Sequence, residues 1–142
     1  TAADVEKIIG ISREFNITEL TNAIAYGNAA KAFKIAYYFG ESPKQYPLPK
    51  TLGFLFFFFW KLEQIHAYTL QSSRPSLQEA ASQAGLYYRT ATSYIAAAQR
   101  YPLRKTMRII SSLKECDMKS KSNSRGSATE GELLIELLGK IF

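Results

Sequence analysis

The chain has 142 residues, 46% of them hydrophobic and 21% charged, with a formal net charge of +6. That length suits one domain able to bury a real core, and the modest Gly and Pro content excludes a disordered or collagen-like chain. One Cys and one His are too few for a structural zinc site or a disulfide framework.

The longest uncharged apolar run, Leu52 to Trp60, falls far short of the roughly 20 residues of a membrane span. No contact with a membrane is expected. The opening residues Thr1 to Asp4 begin no secretory leader pattern.

The charge is concentrated. Arg100, Arg104, Lys105, Arg108, Lys114, Lys119, Lys121 and Arg125 face only Glu115 and Asp117 over the same stretch, which accounts for the whole excess. The remainder of the chain balances ten basic against ten acidic residues. A localised basic patch meets nucleic acid, an acidic partner surface, or only water.

Four places pair a short polar residue with an acid three positions on, a helix-starting spacing: Thr1/Asp4, Asn16/Glu19, Ser76/Glu79 and Thr129/Glu132. After Asn16, the spacing of Ile17, Leu20 and Ile24 is helical, and Gly27 ends the run. Asn28 caps a second helix to about Phe39, with Phe33, Ala36 and Tyr37 expected inward and Lys31, Lys34 and Tyr38 outward. Residues 40–49 hold three prolines in seven positions and read as a loop.

The longest helix follows, from about Pro49 to Gln71. Its first half is apolar on every face, the pattern of a helix surrounded by its neighbours. Its aromatic run, Phe54 and Phe56 to Trp60, is therefore expected in the core. A base-stacking platform would interleave rings with Lys or Arg. Further helices are expected at Leu77 to Ala84, Tyr88 to Arg100, Pro102 to Glu115 and Glu130 to Ile141. In the third of these, Leu103, Met107, Ile110 and Leu113 share one side. Lys119 to Ala128 reads as a flexible loop. The fold class is all-α, a bundle of about six to seven helices.

No constellation for catalysis stands out. No phosphate-cradling loop is present, and His66, the lone imidazole, has no nucleophile elbow beside it. Cys116, between Glu115 and Asp117, is in a poor setting for a thiolate. No cofactor, metal or small-molecule substrate is expected. The stretch Ser76 to Arg100 has the form of a helix-turn-helix, with Ala80 and Ala81 allowing close approach, Gly85 at the turn and Leu86 as the plug. Its second helix offers Arg89, Thr90, Thr92, Ser93 and Gln99, which is polar but poor in cations. DNA reading by residues 88–100 is the alternative function.

A wider resemblance covers nearly the whole chain. The stretch Asp4 to Ile24, DVEKIIGISREFNITELTNAI, resembles the junction into the C-terminal domain of bacterial DNA polymerase III delta subunits. Lys31 to Phe39, Pro47-Leu-Pro49 and the long apolar helix continue in the same order. Ala84 to Tyr88, Tyr94 to Tyr101, Asp117 to Ser120 and Gly131 to Leu134 complete it. Each piece is weakly specific, and it is their order that carries the likeness.

The resemblance implies a piece of a non-catalytic clamp-loader subunit related to AAA+ proteins. Residues 1–10 would end a lid-like module, and residues 11–142 would form the helical collar domain that joins the loader ring. Implied partners are gamma/tau-type and delta-prime-type subunits. The sliding clamp would be met through N-terminal modules, DNA through the whole complex, and the location would be cytoplasmic. The nucleotidyltransferase activity would belong to the parent holoenzyme.

The candidate partner or DNA contacts are Arg104, Lys105, Arg108, Lys119 and Lys121 in the basic segment. The terminal helix adds apolar surface from Leu133, Leu134, Leu137, Leu138 and Ile141. Of these, Leu133, Leu137 and Ile141 are the candidates to meet a neighbouring subunit.

Overall fold

Side-chain caps set where several of the helices begin. In the computed structural model, which describes residues 15–122 and 126–142, the Asn16 side chain accepts from the Glu19 N–H at 2.9 Å and starts α1 (Ile17–Ala25). Asn28 does the same for α2 (Ala29–Glu41) through the Lys31 N–H. Ser76 caps α4 (Leu77–Gln83). Thr129 and Glu132 form a reciprocal capping box at α7 (Glu130–Ile141). Between these run α3 (Leu48–Thr69), α5 (Tyr88–Arg100) and α6 (Leu103–Ser120). The described residues are all-helical, with seven helices and no strand. The expected Thr1/Asp4 cap and the lid-like segment 1–10 lie outside the described residues.

Helix α3 has no side chain of its own to cap it, because Pro47 occupies the N-cap. Its first N–H, from Leu48, instead donates to Glu130 Oε1 at 2.6 Å, across 82 residues of sequence. A carboxylate at that positive helix end is favourable. It also ties α7 to the start of the longest helix.

The core is aliphatic with a few rings. Leu52, Leu55, Phe58, Phe59, Leu62 and Ile65 of α3 are buried against α6, α4, α5, α1 and α7. Helix α2 instead crosses α7 at Gly40 and Gly131. A Cβ built on either would come within 3.0 Å of the other's Cα. Glycine inside a helix costs about 0.5–1 kcal/mol relative to alanine, and here that cost is offset by a close crossing.

Tyr101, between α5 and α6, is almost fully buried and joins four helices. Its hydroxyl donates to the Ile24 carbonyl of α1 at 3.2 Å. Its own carbonyl accepts from His66 Nε2 of α3 at 2.7 Å and from Thr106 Oγ1 of α6 at 3.1 Å. Its ring meets Phe59 edge-on at 5.7 Å. Burial pushes the phenol pKa up to about 12, against a smaller opposing pull from Arg100.

Several expectations need correction. In α2, Ala32, Ile35, Ala36 and Phe39 are buried and Phe33 packs partly on the core, but Tyr37 faces solvent. Tyr38 packs partly on the core, beside the stacked pair Phe39 and Tyr46. In α6, which runs five residues further than the expected end at Glu115, Thr106 and Ile109 are buried and Met107 is exposed. The largest correction concerns α3: Phe54, Phe56, Phe57 and Trp60 are 39–50% exposed. The helix is apolar on both sides, but only one side faces the protein's own core.

Two outcomes are expected. Gly131→Ala, which forces the α2 and α7 backbones apart, should lower unfolding stability by about 1–3 kcal/mol in a urea titration. For Tyr101, the neutral phenol is favoured in the folded state. Its contribution is therefore complete below the ordinary value of 10.0 and is lost as pH rises to about 12. Wild type should lose about 2–3 kcal/mol more across that interval than Tyr101→Phe, which has no phenol to ionise.

Candidate interaction surfaces

The exposed face of α3 is built from residues three apart. Phe54, Phe57 and Trp60 form a row along the helix, with Phe56 on the flank toward α6. The Phe57 and Trp60 rings lie 6.1 Å apart at 50°. Lys61 Nζ donates to the Ala84 carbonyl at the end of α4 at 2.7 Å. In that position it sits 5.5 Å from the Trp60 ring centroid and 5.9 Å from that of Phe57.

A groove of about 490 Å³ runs beside the row, between α1, α3 and α5. Phe54, Phe57 and Tyr26 supply aromatic wall, and Thr18, Thr21, Asn22, Thr90 and Ser93 supply neutral polar groups. Arg89 is the one charged side chain that lines it among the described residues. Among the described residues, Lys50, Lys61 and Arg89 have no ion pair.

Gly53 lies on the same outward face. A Cβ added there would meet nothing within 4 Å. Unlike Gly40 and Gly131, it serves no crossing among the described residues.

The basic segment divides in two. Arg104 and Arg108 are exposed beside Met107 and Ser111 on the outer side of α6 and carry no ion pair among the described residues. Lys105 lies over the Tyr101 ring at 5.2 Å. Lys119 and Lys121 are already engaged, with Glu136 at 3.4 Å and Asp117 at 3.0 Å. Exposed pairs of this kind contribute little stability, but they cancel local charge. Arg100 and Lys114 are also exposed and without an ion pair among the described residues, and the closest pair of free cations on α6 is Arg104 and Arg108.

Leu133, Leu137 and Ile141, expected as candidate partner contacts, are instead core side chains. They and Leu134 and Leu138 are at most 2% exposed, because α7 is clasped by both α2 and α6. The apolar surface left on this end is Ile135 and Phe142.

Residues 77–100 form two helices joined at a glycine turn. Ala80 and Ala81 are fully buried, Gly85 turns the chain at φ +86°, and Leu86 plugs the angle between α4 and α5. Tyr88 opens α5 at φ +56°, a conformation bulky residues seldom hold, and is nearly fully exposed. Arg89 and Thr92 do not make one basic reading edge. Arg89 lines the α1/α3/α5 groove, whereas Thr92 lies beside Tyr87, Leu86 and Ile95, with no cation lining that hollow.

Among the described residues, no group of three or more His, Cys, Asp or Glu is placed to share a metal ion, and no helix is long and apolar enough to cross a membrane. His66 is engaged by the Tyr101 carbonyl. Cys116 is buried near the Leu133 carbonyl, its thiol pKa raised first by burial and then by Glu136.

No family model, curated protein or solved structure matches this chain.

The aromatic row was missed by sequence reasoning, although the signal for it was present. Plotted at 3.6 residues per turn, Leu52, Leu55, Leu62 and Ile65 share one side of α3, which marks the core side, and Phe54, Phe57 and Trp60 fall away from it, although Phe58 and Phe59 fall with the aliphatic residues. For Cys116, the expected outcome is protection: alkylation of the native chain should run at least about a hundredfold slower than that of the urea-unfolded chain.

Proposed function

We propose that this chain is an assembly module, the helical collar domain of a clamp-loader delta-type subunit, non-catalytic by itself and working in the cytoplasm on DNA replication. The observation that carries the assembly reading is the outward aromatic face of α3. Four large rings on one exposed helix face, at considerable hydration cost, are the mark of a surface that another molecule covers. The clamp-loader part rests on the order of the sequence segments that resemble delta subunits. An all-helical bundle suits that resemblance. In this reading the partners are gamma/tau-type and delta-prime-type subunits, with DNA and the sliding clamp met through the whole complex.

A second reading, DNA binding through α4 and α5, is favoured by one observation, the buried-alanine, glycine-turn shape of that pair. It would be supported by sequence-selective duplex binding that Arg89→Ala abolishes. Binding that Arg89→Ala leaves unchanged would count against it.

The main reading is tested by light-scattering gel filtration of the chain mixed with collar domains of the other loader subunits. A mixed complex is expected, weakened at least about tenfold by Arg104→Glu with Arg108→Glu if the free basic face takes part. Absence of any complex at micromolar concentrations, with all components folded by circular dichroism, would overturn the clamp-loader assignment.

A further inference from the structure

We propose that the exposed face of α3 seats an acidic amphipathic helix from another polypeptide. The seated helix crosses α3 at Gly53 and aligns its carboxylates with Lys50, Lys61 and Arg89. This deepens the assembly reading, on which it rests, but it does not depend on the partner being a clamp-loader subunit.

Three independent features converge on that occupant. The first is spacing: Phe54, Phe57 and Trp60 recur every third residue and rise about 9 Å along the helix. A partner helix with anchors at i, i+3, i+4 and i+7 interdigitates with such a row. The second is Gly53. Its Cβ direction is open, so no contact among the described residues requires glycine there. Where this protein does bring two helix backbones together, at Gly40 and Gly131, it uses glycine on both. Gly53, set among the outward rings, allows an outside helix the same close approach.

The third feature is charge. Among the described residues, Lys50, Lys61 and Arg89 surround the row without ion pairs, and no carboxylate lines the groove beside Arg89. In the hollow at Gly53 and Phe56 the one carboxylate, Asp117, is already paired with Lys121 and stands beside Lys114. The one acid on α3, Glu63, lies three residues past Trp60. Such a rim favours an acidic occupant and repels a second copy of the same face.

A single nucleic-acid strand fits less well. The 50° tilt between Phe57 and Trp60 leaves no parallel slot for a base. The densest free cations, Arg104 and Arg108, stand on α6 with no aromatic side chain in their hollow. A stacking track needs rings and phosphate-binding cations together.

Trp60 is the only tryptophan, so its emission reports directly on this face. The probes are a synthetic helical peptide of about five turns with a Leu/Phe stripe on a Glu background, the same peptide with Lys for Glu, and oligothymidine. The Glu peptide should bind and shift Trp60 emission to the blue, and the Lys peptide should not. Lys50→Glu with Arg89→Glu should reverse that preference.

Gly53→Ala separates docking from folding. It should raise the thermal midpoint by about 2–4 °C while weakening the Glu peptide at least about tenfold. A loss of binding cannot then be ascribed to unfolding. Oligothymidine binding in place of the Glu peptide, self-association through this face, or Glu-peptide binding unchanged in Gly53→Ala would each overturn the proposal. If the Glu peptide binds but no loader subunit does, the clamp-loader assignment fails and the docking face stands. If loader subunits assemble and Trp60 stays solvent-exposed, the assignment stands and the docking face fails.

Discussion

Tyr101 is where the bundle is tied together. Its hydroxyl reaches α1, its carbonyl takes bonds from α3 and α6, and its ring rests on Phe59. A carbonyl accepting two side-chain donors at a helix junction removes the polar liability that a chain reversal normally places at the surface. The α5–α6 corner can therefore be buried, and that burial sets the angle at which α6 lies along α3. The direction of the outer α6 face, with Arg104 and Arg108, follows from the same node. So does the occupation of His66, whose ring is committed to the Tyr101 carbonyl.

Most of the helical framework was legible because helix starts are written in short-range chemistry. Asn16, Asn28, Ser76 and Thr129 each bond a backbone N–H three residues on. Such a bond needs no knowledge of the rest of the chain. The turn at Gly85 was legible for the same reason. The start of α3 was different. Its capping acceptor, Glu130, comes from the far end of the sequence, and only the assembled fold supplies it.

The candidate surfaces were harder to read, and the failure has one physical cause. Hydrophobicity says that a side chain avoids water, but not which molecule removes it from water. Helix α3 is apolar all round, and enclosure by its own chain was the natural inference. The structure divides that apolar surface between a core formed by Leu55, Phe59 and Leu62 and an outward row formed by Phe54, Phe57 and Trp60. The terminal helix shows the converse. Leu133, Leu137 and Ile141 suggested spare surface, and all three are used internally. Charge was ambiguous in the same way: Lys119 and Lys121 are matched by Glu136 and Asp117, whereas Arg104 and Arg108 are not.

The clasp of α7 by α2 and α6 bears on synthesis as well as on structure. Chains emerge from the ribosome N-terminus first, and domains fold as units when their parts become available. Here the Gly131 backbone that fits against Gly40, and the carboxylate that caps α3, belong to α7, which leaves the tunnel well after α2 and α3. Until then α2 lacks its partner and Leu48 its acceptor. Core and aromatic row are exposed together during that interval. Until α7 has emerged, the nascent chain thus offers this combined apolar surface to a chaperone or a co-translational partner.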